Sequence, residues 1–91
     1  MRFDVLPAYE QVQAGIEDLD RGVESAAALL VSIGAPRLRQ LGLPIPETVP
    51  SSPEHRLYEL LRREGADAAH SRYNALIRRL VSFERAAECE R

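Results

Sequence analysis

The sequence predicts an all-α fold: a long helical hairpin or three-helix arrangement with a proline-rich connecting segment, pairing into a dimeric helical bundle. Three observations predict it. Apolar residues recur at alternating spacings of four and three from Val5 to Ile33 and again from Ala66 to Ala87, which is the helical period. Between these blocks "LPIPETVP" carries three prolines in eight residues, which bars regular helix there. In the last block Ile77 and Val81 lie off the main apolar seam, so that helix needs a second neighbour, from the proline-rich segment or from a second copy of the chain.

The first helix is expected over about residues 5–33. Val5, Tyr9, Val12, Ile16, Leu19, Val23, Ala26, Leu30 and Ile33 form one unbroken heptad seam, the coiled-coil pattern of helices packed at a shallow angle. Asp4 reads as its N-cap, and Pro7 is tolerable in the first turn, where the amides have no intrahelical partner. Gly34, Ala35 and Pro36 form a stop signal.

Residues 36–42, "PRLRQLG", read as a short helical turn opened by Pro36 and closed by Gly42. Residues 43–51 then follow as an extended, polyproline-like segment. Leu38, Leu41, Leu43, Ile45 and Val49 make this region too apolar for a free linker, so it is expected to pack across the helices. The last helix is expected over about residues 53–88. Its start is marked either by a Ser51–Glu54 capping box or by Ser52 followed by Pro53. Ala66, Ala69, Tyr73, Leu76, Leu80, Phe83 and Ala87 form its seam, whereas Tyr58, Leu61, Gly65 and Ala68 follow a seam shifted by one position. The shift falls near Gly65, which costs about 1 kcal/mol relative to Ala in a helix interior. One long helix with an irregularity there is expected, with a true break as the alternative.

Composition narrows the function. A chain of 91 residues is one small domain that buries somewhat more than about 60% of its unfolded surface. Apolar residues make up 45% and charged residues 29%, a globular balance rather than a disordered one. The net charge of −2 argues against a general binder of nucleic acid or anionic membrane. All 12 basic residues are arginine, the side chain suited to fixed, planar ion pairs. The one cysteine, Cys89, allows no internal disulfide and fits a reducing cytoplasm. No leader pattern and no apolar run of membrane-spanning length is present.

The best positive signal is a pair of adjacent arginines. On a helical wheel Arg78 and Arg79 fall opposite Leu76, Leu80 and Phe83. Between them runs a strip of small residues at seven-residue spacing, Ala68, Ala75 and Ser82, flanked by Arg72 and Arg79 on one side and Arg78 on the other. Arg62 and Arg63 have Glu59 within one turn, and Arg63 also has Asp67, but Arg72, Arg78 and Arg79 have no acid three or four residues away. Residues 1–33 carry six acids against two arginines, with Glu10, Glu17, Asp20 and Glu24 along one flank of the seam. Gly15 and Gly22 lie on the other flank, costly inside a helix unless something packs close. Acidic first helices and arginine-bearing last helices are therefore expected to meet, within one chain or between two; a solvated charged face is the plainer alternative. Arg72, Tyr73, Ile77, Arg78, Arg79 and Val81 are the expected partner-binding residues, and Gly15, Gly22, Ala68, Ala75 and Ser82 the expected helix-packing positions.

Catalytic chemistry is thin. His55 with Glu59, and His70 with Asp67 or Asn74, show no third ligand, so no metal is expected. Glycine-rich phosphate loops are absent, Cys89 has no nearby histidine, and no cofactor is called for. Arg63 and His70, six residues apart and followed by Tyr73, resemble the arginine-to-histidine motif of the HEPN ribonucleases, which are helical and usually dimeric. The resemblance covers eight residues and lacks the polar residue types that usually follow the arginine. It implies that Arg63 and His70 would cut RNA across a dimer. A second alternative takes "LYELLRREGADAAHSRYNALIRR" as a helix, a glycine turn and a recognition helix, with Arg72, Arg78 and Arg79 on phosphates. Ser71 and Asn74 stand where that motif needs apolar anchors. The reading that remains is a non-enzymatic cytoplasmic module that binds protein, an adaptor, regulator or inhibitor of the kind found among bacterial and phage accessory proteins, and a homodimer.

Overall fold

Among the described residues five α-helices form: α1 (Tyr9–Asp20), α2 (Ala26–Ile33), α3 (Ala35–Gln40), α4 (Pro53–Glu64) and α5 (Ala69–Glu90). Short 3₁₀ turns occupy Phe3–Val5 and Ala66–Ala68. The structure, a computed structural model, describes residues 3–90, and no strand occurs among them.

The helix expected over residues 5–33 is instead a 3₁₀ turn and two helices, and the reason lies in local chemistry. Gly22 takes a left-handed conformation with φ of +72°, which residues other than glycine rarely adopt. Ser25 then opens α2, its Oγ accepting a hydrogen bond from the Ala28 amide at 3.1 Å while donating to Asp18 Oδ2 at 2.5 Å. At the other end Asp4 sits in the 3₁₀ turn and does not cap α1. Pro7 disfavours the α conformation in the residue before it, and the chain enters α1 through Ala8 at φ of +63°. The heptad seam is broken accordingly. Val12 and Ile16 are buried, whereas Val5 is 66% and Val23 47% exposed.

The segment "AAALLVSI" explains why a straight helix fails. Such a helix is apolar nearly all round, and it must be buried on every side. Residues 28–32 are all buried, with α1, α4 and α5 packed around α2. Its one polar side chain, Ser32, returns its hydroxyl to the Ala28 carbonyl at 2.8 Å. Folding α1 back on α2 gives that helix its first cover.

The second block also divides. Helix α4 ends at Glu64, Gly65 follows, and α5 begins only at Ala69. The residue 53–88 helix is therefore two helices that pack on each other. Tyr58 and Tyr73 meet edge to face at 5.7 Å, and Arg72 reaches back across the corner to Glu64 at 2.9 Å. Helix α4 starts at Pro53 after Ser52, without a side-chain cap.

The short turn over residues 36–42 is α3, which follows α2 directly through Gly34. Gly42, at φ of +99°, closes it. Between α3 and α4 the chain has neither helix nor strand, yet Leu41, Leu43 and Ile45 are buried. Arg39 holds this stretch by donating to the carbonyls of Pro46 and Glu47. Arg37 joins α3 to α5 through Glu88 at 2.6 Å, and Arg56 joins α4 to Glu24 at 2.9 Å. The radius of gyration is 12.7 Å, near the roughly 12 Å expected of a compact chain this long. The result is a five-helix packing around α2 rather than a hairpin or three-helix arrangement.

A candidate interaction groove beside helix α5

The outward face of α5 forms one wall of an open groove of about 730 Å³, contributed by Ala75, Arg78, Arg79 and Ser82. The opposite wall is the segment from Asp4 to Gln11 that leads into α1. Phe3 anchors that segment: its ring lies 6.1 Å from the ring of Phe83, which is fully buried on the inner face of α5. Leu6, Pro7 and Ala8 give the wall an apolar stretch, and Asp4 and Glu10 add carboxylates across from the arginines.

Arg21, Arg37, Arg56, Arg62 and Arg72 each have a carboxylate within ion-pair distance. Arg78 and Arg79 are exposed and, like Arg63 and Arg85, have no ion pair or hydrogen bond among the described residues; of these four, Arg78 and Arg79 line this groove. At about 100° per residue they stand on either side of the line joining Ala75 and Ser82. Small side chains there leave the helix backbone open to a neighbour, and two guanidinium groups flank the approach.

The remaining sequence-predicted positions separate from this groove. Arg72 is engaged with Glu64. Tyr73 and Ile77 are half-buried against the core, and Val81 is half-buried as well. Burial pushes the Tyr73 hydroxyl above its usual range, with Glu54 acting in the same direction. Ala68 is exposed at the 3₁₀ turn. Gly15 does meet a close neighbour, but it is α2: a Cβ there would lie 2.3 Å from the Ala27 carbonyl oxygen. Gly22 is in the α1–α2 turn, outside any helix. In the N-terminal wall Leu6, Pro7 and Ala8 lie off the heptad seam that runs through Val5 and Tyr9. Sequence reasoning missed Leu6, Pro7 and Ala8 because only the fold brings them beside α5.

Arg63 and His70 have different neighbours. Arg63 lines a separate cavity of about 280 Å³ between α4 and the start of α2, with His55 and Glu59. His70 instead pairs with Asn74 at 3.2 Å. Among the described residues no three His, Cys, Asp or Glu side chains converge to hold a metal ion, and no helix is long and apolar enough to cross a membrane.

Glu84 is the least comfortable charge. It is 6% exposed, with no hydrogen bond or ion pair among the described residues, where α5 crosses the α2–α3 junction. Gly34 makes room for it, since a Cβ at that glycine would stand 2.9 Å from Glu84 Oε2. Burial raises the Glu84 carboxyl above the usual range, Arg37 opposes the rise, and Glu88 adds to it.

No family model, curated protein or solved structure matches this chain.

Proposed function

We propose that the protein is a small non-enzymatic binding module, an adaptor, regulator or inhibitor, that takes a protein partner in the groove between the N-terminal segment and α5. The single observation that carries this reading is the pair Arg78 and Arg79. They are the cations that line the groove, and neither has an ion pair among the described residues, whereas Arg72 on the same helix is bound to Glu64. A partner surface with carboxylates beside small or apolar side chains satisfies both the guanidinium groups and the apolar wall, and a second copy of this chain is one such surface. Protein–protein sites favour arginine for this purpose, because its planar fork gives directional pairing with carboxylates. A nucleic-acid partner fits less well. Asp4 and Glu10 line the same groove, so its two arginines form no continuous cationic track for a phosphate backbone.

The test is co-purification from a native extract with the wild type and with the Arg78→Ala/Arg79→Ala double variant, measuring protein and nucleic acid in each bound fraction. Protein retained by the wild type and lost from the variant is the expected result. Equal capture by both, or nucleic acid as the main captured species, would overturn the assignment.

A further inference from the structure

We infer that the groove's partner is a second copy of this chain, docked through the outward face of α1; the inference rests on the protein-binding reading above. Within one chain the acids of α1 and the arginines of α5 do not pair. Helix α1 packs on α2, and neither Arg78 nor Arg79 reaches a carboxylate among the described residues. The outward face of α1 presents Glu10, Ala14 and Glu17, all exposed, and neither acid has an arginine partner there; Glu17 only accepts from Gln13 at 3.2 Å. Glu10 and Glu17 on one copy and Arg78 and Arg79 on another, none of them in an ion pair within its own chain among the described residues, are complementary to each other between copies.

Spacing supports the match. Glu10 and Glu17 are two helical turns apart, about 10.5 Å at the usual rise, and Ala75 and Ser82 have the same separation. With the small positions facing, each glutamate falls about 5 Å along the axis from the arginine pair, within reach of an arginine side chain. When both contacts form within one pair, with α1 of each protomer on α5 of the other, the interface is isologous and closes as a two-fold dimer. Pairing α5 on α5 through the same face would instead bring four guanidinium groups to the two-fold axis, a like-charge arrangement that repels.

The experiment is solution mass by light scattering during gel filtration, over a hundredfold dilution and at low and high salt. It uses the full chain, the charge-reversed variants Arg78→Glu/Arg79→Glu and Glu10→Arg/Glu17→Arg, and their equimolar mixture. The wild type should be dimeric at high concentration and dissociate on dilution, with salt weakening it at least tenfold. Each variant alone should be monomeric, and the mixture should recover the dimer mass. Circular dichroism verifies helix content, and the neutral pairs Arg78→Gln/Arg79→Gln and Glu10→Gln/Glu17→Gln replace any reversal that fails to fold; each should weaken the dimer. A wild type that is monomeric throughout, a dimer indifferent to both charge sets, or a mixture that stays monomeric overturns the pairing. The broader protein-binding reading fails separately, when the wild type and the Arg78→Ala/Arg79→Ala variant capture the same proteins.

Discussion

Gly15 lies so close to Ala27 that a Cβ on the glycine would stand 2.3 Å from the Ala27 carbonyl oxygen and 2.5 Å from a Val31 methyl group. The α1–α2 hairpin is built on this contact. The atom in the way is largely backbone, which cannot swing aside as a side-chain tip can. Gly15→Ala should therefore cost more than the about 1–3 kcal/mol typical of overpacking. Gly22→Ala meets no neighbour and should cost only the left-handed backbone penalty of about 1–2 kcal/mol. Urea unfolding of the two variants ranks them, and the reverse order would contradict the hairpin geometry.

Glu84 makes stability depend on pH in a defined direction. Burial raises its folded-state pKa above the unfolded value, so the fold favours the protonated form. That contribution is fully present below the ordinary glutamate pKa, about 4.3, and is lost as pH rises through the raised folded value. At neutral pH the buried carboxylate is a liability. Glu84→Gln should raise the melting temperature at pH 7, and the gain should shrink as pH falls toward 4. A variant less stable than wild type at pH 7 would mean the charge is paired in solution.

Asp18 acts with the opposite sign. The Ser25 hydroxyl first, and Arg21 second, hold its carboxyl below the usual range, so its contribution is present above the ordinary aspartate pKa and lost as pH falls through the lowered folded value. Ser25→Ala removes both that donor and the N-cap acceptor of α2. Loss of such a cap costs about 0.5–2 kcal/mol. The difference from wild type should be largest near neutral pH and narrow in acid, which chemical unfolding at pH 7 and pH 3 measures.

Ala8 borders the groove while holding a left-handed backbone, a conformation that costs a non-glycine residue about 1–2 kcal/mol. Glycine removes that strain but gains freedom in the unfolded chain, worth about 0.5–1 kcal/mol. Ala8→Gly should thus be neutral or stabilising by up to about 1.5 kcal/mol. A clear loss of stability would show that the Ala8 methyl packs in a way that outweighs its strain.

The helical class was legible because a repeat of four and three is a direct trace of helix geometry, and the ends of α3 and the start of α4 were legible from Pro36, Gly42 and Pro53. The division of the first block was not. Its seam runs in register through Gly22, and an amphipathic count does not register that residues 26–33 are apolar on every face. That uniformity, with Ser25 ahead of it, was the available signal for a separate, central helix. Arg78 and Arg79 were legible as unpaired because their own helix offers no acid within a turn. The groove opposite them was not, since it depends on Phe3 meeting Phe83 across most of the chain's length, and no local pattern encodes that distance.

Helix α2 also has a consequence for how the chain is made. It emerges from the ribosome before α4 and α5, so for part of synthesis only α1 covers a stretch from residue 26 to 33 with no charged side chain. Glu24 and Arg37 are the charges that flank it, the gatekeeper positions that discourage such a segment from joining another nascent chain. Removing α5 would strip one side of that helix and leave an aggregating fragment rather than a smaller working domain.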